Sequence, residues 1–149
     1  IHMVGKLQSN KVKKAINIFS FIHSLDNPKL ADVCRKSEEE LNKKISYFIQ
    51  VNIGDESQKS GVSRKDLEDL YNYSIDRNLN IHGLMCIPPN ILDPKDHFKE
   101  MIELREKINT ELKLSMGMSN DYRTAIEFGA THIRIGSKLF GERLEKEET

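Results

Sequence analysis

Two short segments near the end of the chain put glycine beside serine in a setting suited to holding an anion. One is Leu114-Ser115-Met116-Gly117-Met118-Ser119-Asn120-Asp121; the other is Ile133-Arg134-Ile135-Gly136-Ser137. Glycine lets the backbone approach an anion closely, serine adds a hydroxyl donor, and a helix starting after Ser119 would aim N–H groups at the same spot. If the two segments are strand-to-turn junctions on adjacent parallel strands, they form one phosphate cup, with Ser119 and Ser137 sharing the anion. Arg134, two residues before Gly136, adds a fixed positive charge at the rim. Each residue also has a plainer reading. Ser119 suits a helix N-cap, Gly136 a simple turn, and Arg134, inside an apolar run, a partner for a neighbouring carboxylate. Strand alternation predicts that Arg134 points inward while Ile133 and Ile135 point the other way.

The remaining reactive side chains are less patterned. His23, His82, His97 and His132 show no H-x-H or H-x-x-x-H spacing, so no metal site is expected. Cys34 and Cys86 are far apart and form no CxxC pair, which reads as free thiols in a reducing compartment. Lys6, Lys11 and Lys59 read as a solvated rim. The 23 basic and 23 acidic residues cancel, and nucleic-acid and polybasic membrane binders usually show a sign asymmetry. Only the acidic end at 142–148, broken by Arg143 and Lys146, departs from balance. No apolar run approaches membrane-spanning length.

The elements that must position these residues alternate. Residues 3–5 read as the end of a strand, and Ser9 caps a helix carrying Val12, Ala15 and Ile16. Residues 19–24 form a short strand; Asp26 caps the next helix, with Pro28 in its first turn and Leu30, Val33, Cys34 and Leu41 as its buried stripe. Residues 45–53 form the longest strand, rich in β-branched and aromatic residues, followed by a polar loop at 54–61. Ser63 to Asp66 is a capping box before Leu67, Leu70, Tyr71, Ser74 and Ile75. Residues 81–87 form a strand ending at Pro88-Pro89. Asp93-Pro94 opens a helix with Phe98, Met101, Ile102, Ile108 and Leu112 inward. Residues 112–116 form a strand, 119–128 a helix closed by Gly129, and 133–135 the last strand. Regular βα alternation predicts an α/β fold with a parallel sheet and outer helices. With no G-x-G-x-x-G near the start and phosphate turns after the last two strands, a (β/α)8 TIM barrel is favoured over a doubly wound sheet. Six units in 149 residues are two short of the eight a barrel needs.

Several motifs carry a family likeness. His2-Met3-Val4-Gly5-Lys6-Leu7-Gln8-Ser9-Asn10-Lys11 resembles the H-F-I-G-x-L-Q-x-N-K stretch of the pyridoxal phosphate homeostasis proteins. Val51-Asn52-Ile53 with Lys59-Ser60-Gly61 is similar to that family's fifth strand and K-x-G loop, and Gly83-Leu84-Met85-Cys86-Ile87-Pro88 to its G-L-M-x-I-P strand. Leu114 to Asp121 and Arg134 to Gly141 resemble its L-S-M-G-M-S-x-D and R-I-G-[ST]-x-[IL]-F-G signatures. The likeness runs in order through nearly the whole chain.

The resemblance implies a barrel like the N-terminal domain of alanine racemase that binds pyridoxal 5′-phosphate (PLP). It implies that residues 1–149 form one domain, a partial barrel holding strands 3 to 8 of the family fold. The family's Schiff-base lysine, in an A-V-S-K-like first strand, and its G-E-N-Y second strand have no counterpart here, so the chain reads as starting mid-fold. A six-stranded piece of this kind is expected to be poorly stable alone. The resemblance further implies that Ser119, Gly136 and Ser137 hold the phosphate beside Met118, that Arg134 faces the pyridine nitrogen, and that His2 and Met85 lie near the cofactor; core packing explains the last two nearly as well. The implied function is non-catalytic buffering of PLP in the cytoplasm and its delivery to PLP-dependent apo-enzymes, by a protein that is monomeric at full length. An amino-acid racemase of the related fold, or a phosphate-binding barrel piece without aldehyde chemistry, are the alternatives.

Overall fold

Short apolar strands and amphipathic helices alternate because each strand is a short run rich in β-formers and each helix carries apolar residues at three- and four-residue spacing. The computed structural model describes residues 1–90 and 93–141; the acidic end lies outside them. Strand β1 is His2–Met3; a 3₁₀ turn, Ser9–Lys11, leads into α1, Val12–Ile18. Then follow β2, Phe21–Leu25; α2, Pro28–Leu41; β3, Ser46–Val51; α3, Leu67–Asp76; β4, Asn80–Cys86; α4, Lys95–Ile108; and β5, Lys113–Ser115. Two short helices, α5 (Tyr122–Glu127) and α6 (Ser137–Phe140), complete the described chain. The strands pair in sequence order, β1-β2-β3-β4-β5, all parallel.

The main core lies between the outer face of this sheet and the helices. Ile22, Ile49 and Leu84 from the strands meet Ile16, Leu30, Leu67, Phe98 and Met101 from the helices, all buried. Phe48 and Met85 are equally buried but stand outside that core; Phe48 stacks on His23 of the inner face.

The sheet curls tightly. In a flat sheet, strands three steps apart would lie roughly 14 Å apart. Yet His23 on β2 and Ser115 on β5 are bonded side chain to side chain at 2.8 Å. The ring of His2 on β1 reaches within 5.7 Å of the ring of His132, beyond β5. Five parallel strands with outer helices and inner side chains meeting across the concave face make a partial (β/α)8 barrel.

Boundaries differ from the expected ones for local reasons. Of residues 3–5 only Met3 belongs to a strand: His2 and Met3 pair at the sheet edge, and Val4 and Gly5 are exposed beyond it. Residues 19–24, 45–53, 81–87 and 112–116 each yield a strand shorter or shifted by a residue or two, since pairing ends where neighbouring strands stop offering partners. The cap of α2 is Asn27, not Asp26: the Asn27 side chain accepts from Leu30 N at 2.9 Å. Asp26 instead accepts from Gly61 N at 3.2 Å, tying the loop after β3 to the end of β2. Ser63 does accept from Asp66 N, at 3.2 Å, ahead of α3. The stripe of α2 holds Leu30, Ala31, Cys34, Ser37 and Glu38 as its buried residues, with Val33 and Leu41 only partly covered.

The sixth strand is the main correction. Residues 133–135 form no regular strand. They follow a single parallel bridge between His132 and Ser115, continued by His132 N–H to Leu114 O, Met116 N–H to His132 O and Arg134 N–H to Gly117 O at 2.9–3.1 Å. Beyond Arg134 the chain turns away into α6.

Candidate functional site

The loops at the carboxyl ends of the strands enclose a cleft of about 870 Å³, where ligand sites in βα barrels form. Met118, Ser119, Arg134, Gly136 and Ser137 all line it, with Lys59, Asp121 and Pro88. The two Gly/Ser turns therefore face one space. Their closeness is direct: Lys138 N–H donates to Ser119 Oγ at 3.4 Å. A Cβ added at Gly136 would meet no heavy atom within 4 Å, so backbone there borders open space.

Ser119 does not cap a helix. Helix α5 starts at Tyr122, three residues later than expected. A tight turn intervenes, in which Asp121 Oδ1 accepts from Met118 N at 2.6 Å while Asp121 and Tyr122 N–H groups donate to Met118 O. This turn needs Gly117 at φ +99°, and a Cβ there would sit 2.7 Å from Ala125 Cβ. The helix then ends as expected. Gly129, at φ +84°, donates to Ile126 O, and Ala130 N–H reaches back to Ala125 O.

Arg134 turns inward. Its Nη1 donates to Ser115 Oγ at 2.7 Å and its Nη2 to Cys86 O at 2.8 Å. Neither partner is a carboxylate, so the expected ion pair is not what holds it. Burial pulls the guanidinium's pKa below its usual value, with the nearby Asp121 carboxylate acting the other way. A guanidinium has five N–H donors; the two bonds to Ser115 and Cys86 leave three without a partner among the described residues, at the wall of the cleft.

His2 and Met85 are not at the cleft wall. Met85 is fully buried on β4, in register with Gln50 and Ser115. His2 lies on the inner face of β1, stacked on Phe21 at 4.2 Å and 3.0 Å (Nδ1 to Nε2) from His23. Lys59, read from sequence as rim, does line the cleft, where it pairs with Glu56 at 2.6 Å. Two residues behind the site escaped sequence reasoning: Ser115 and His23. Both sit inside quoted motifs or strands, but only the curl of the sheet brings β2 against β5. His2, His23, His82 and His132 gather on the inner face with Phe21 and Phe48. Among the described residues no group of three or more His, Cys, Asp or Glu is placed to hold a metal ion.

A parallel βα half-barrel with a Gly/Ser cup and a partly buried arginine at the carboxyl ends of its strands is the class this geometry defines. The alanine racemase N-terminal domain model matches residues 1–144. The pyridoxal phosphate homeostasis protein of Synechocystis is 43% identical over 96% of this chain and 70% of its own length; that of Aquifex aeolicus is 42% identical over 95% and 66%. The chain thus spans about two thirds of the length of the curated relatives it matches. PipY of Synechococcus elongatus, solved without PLP and with PLP bound, is 36% identical over 94% of this chain, with TM-scores of 0.82 and 0.81 covering 70% and 69% of PipY. The chain belongs to the alanine racemase N-terminal domain family and, within it, to the pyridoxal phosphate homeostasis proteins.

Proposed function

We propose that this chain supplies the phosphate- and ring-holding part of a PLP-binding homeostasis protein that buffers and delivers the cofactor without turning over a substrate. The observation that carries this is the placement of Arg134 in the same cleft as the Ser119 and Ser137 turns, with donors to spare. The residues fit the group. Ser119 and Ser137, with the open backbone at Gly136, would receive the phosphate; Arg134 would donate to the pyridine nitrogen; Met118 would border the ring.

Bound PLP supplies an aldehyde and an electron-withdrawing ring. This chain's contribution sets how strongly that ring can draw electrons. A guanidinium only donates, so a pyridine nitrogen facing Arg134 is held as an acceptor and stays unprotonated. Such a ring would be a weaker electron sink than one paired with an aspartate, which disfavours transaminase-like chemistry and suits a carrier. Delivery would be to PLP-dependent apo-enzymes. We place the full-length protein in the cytoplasm as a monomer; the two unpaired, buried thiols, Cys34 and Cys86, suit a reducing compartment.

The test uses the full-length parent. PLP and pyridoxal, which lacks the phosphate, are titrated against the wild type and a Ser119→Ala/Ser137→Ala variant, with alanine racemisation assayed alongside. Losing hydroxyls that bond a charged group lowers PLP affinity at least about tenfold, while pyridoxal affinity stays unchanged. Equal losses for both ligands would remove the phosphate cup, and racemisation at an enzymatic rate would replace the carrier reading with the racemase one.

A further inference from the structure

Ser115 must place its hydroxyl proton somewhere. Its Oγ receives Arg134 Nη1–H at 2.7 Å and lies 2.8 Å from His23 Nδ1. Because a guanidinium only donates, the Arg134 contact uses a lone pair of Ser115 and never its proton. Ser115 is fully buried, and His23 Nδ1 is the acceptor at hand; a buried hydroxyl left unpaired is costly. The proton therefore goes to His23 Nδ1, and that nitrogen is an acceptor. The ring hydrogen then resides on His23 Nε2, which donates to His2 Nδ1 at 3.0 Å. The bonds run one way, from Arg134 through Ser115 and His23 to His2.

We infer that His23 is a positioning residue for Arg134: its ring, protonated on Nε2 alone, fixes the Ser115 hydroxyl, and the lone pair that Ser115 keeps free fixes the guanidinium at the cleft. The ring itself is held still. It is 2% exposed and stacked on Phe48 at 4.1 Å with 17° between the ring planes.

The surroundings keep that ring neutral. Facing it are His2 from β1, His82 from β4, and His132 and Arg134 from the segment beside β5, while Lys113 of β5 acts on His82 and His132. β3 contributes the uncharged Phe48. The nearby Asp121 acts on Arg134 and Cys86. Burial first, then repulsion from the basic groups His2, His132, Arg134 and His82, pushes His23 down to about 3. A second proton would turn Nδ1 into a donor and leave the Ser115 proton without its acceptor. Arg134 is thus held by an uncharged support at any pH near neutral.

The optical readout of this inference rests on the PLP reading; the tautomer does not. The full-length protein is labelled with ¹⁵N, and long-range ¹H–¹⁵N spectra of its histidine rings are recorded from pH 7 to pH 5. His23 is expected neutral with Nε2 protonated throughout; an Nδ1-protonated or charged ring at pH 7 overturns the inference. PLP is then titrated into His23→Asn, whose amide oxygen reproduces the Nδ1 acceptor, and into His23→Leu, which has none. The Leu variant should lose about tenfold in affinity and shift the bound PLP absorbance, the size of one lost charge-assisted bond, and the Asn variant should restore both. Two variants that match the wild type, or an Asn variant as impaired as Leu, refute the positioning role. Should the Leu variant not fold, the tautomer and the Asn titration decide. Should the wild type bind no PLP, the function proposed above fails, and the tautomer alone supports or overturns the support of Arg134 by His23.

Discussion

Arg134 shows how much one side chain can decide. Two neutral acceptors, Ser115 Oγ and Cys86 O, orient it without cancelling its charge, so the charge is available to the cleft. Replacing it by glutamate reverses that charge beside Asp121 and strips both acceptors of their donor. In the full-length protein Arg134→Glu should lower PLP affinity by more than about tenfold and alter the bound absorbance; unchanged affinity in an equilibrium titration would count against a ring-nitrogen role. Glu38 is a second case, with a structural purpose. Its buried carboxylate accepts from Lys44 Nζ at 3.0 Å, Ile45 N at 3.1 Å and Tyr47 Oη at 3.2 Å, which ties α2 to the start of β3. Glu38→Ala strands a buried N–H and a buried hydroxyl and should cost about 2–4 kcal/mol of stability in chemical denaturation. Neither Glu38's burial nor Ser115's bonding could be read from sequence, because both depend on which strand lies opposite.

At the level of elements, the order of strands and helices and the parallel pairing were legible, since hydrophobic period and turn residues are local properties. The capping of α2 was legible to within one residue. Asp26 and Asn27 are both good caps by type, and the choice was made at long range, when Gly61 N–H engaged Asp26. The last strand was misread because Ile133 and Ile135 look like strand formers, whereas the chain keeps only one regular bridge to β5 before turning into α6. Ser119 was misread as a cap because a turn closed by Asp121 and Tyr122 N–H on Met118 O occupies its place and delays α5 to Tyr122; its place in the cleft still followed from the Gly/Ser pattern. The split between Asp26 and Asn27 is testable. Asn27→Ala should cost about 1 kcal/mol and speed hydrogen exchange in the first turn of α2. Asp26→Ala should leave that turn protected and speed exchange at Gly61 instead. The reverse pattern would return the cap to Asp26.

Across the whole molecule, the curl of the sheet has an electrostatic consequence. It collects His2, His23, His82 and His132 on one concave face, and burial first, then repulsion from neighbouring basic groups such as Lys113 and one another, lowers the pKa of each below 6.5, that of His23 to about 3. The sign follows from proton linkage. A histidine whose pKa is depressed on folding binds its proton first in the unfolded chain, so its contribution is complete above pH 6.5 and is lost as the pH falls from there toward 3. For the buried His23 this can steepen the loss of stability by up to about 1.4 kcal/mol per pH unit within its window. Carboxylates with lowered pKa values, such as Asp32 and Glu40, lose their contribution in the same direction but at lower pH, so the interval from 6.5 to 5 isolates the histidines. Urea unfolding of the full-length protein at pH 7, 6 and 5 should show stability dropping across that interval. His23→Asn keeps the bond to Ser115 but removes the titrating ring, and its stability should fall less steeply by as much as one proton's share. Parallel slopes for the wild type and His23→Asn would mean that His23 is protonated in the folded protein as readily as in the unfolded one, which its burial between Phe48 and Ser115 does not permit.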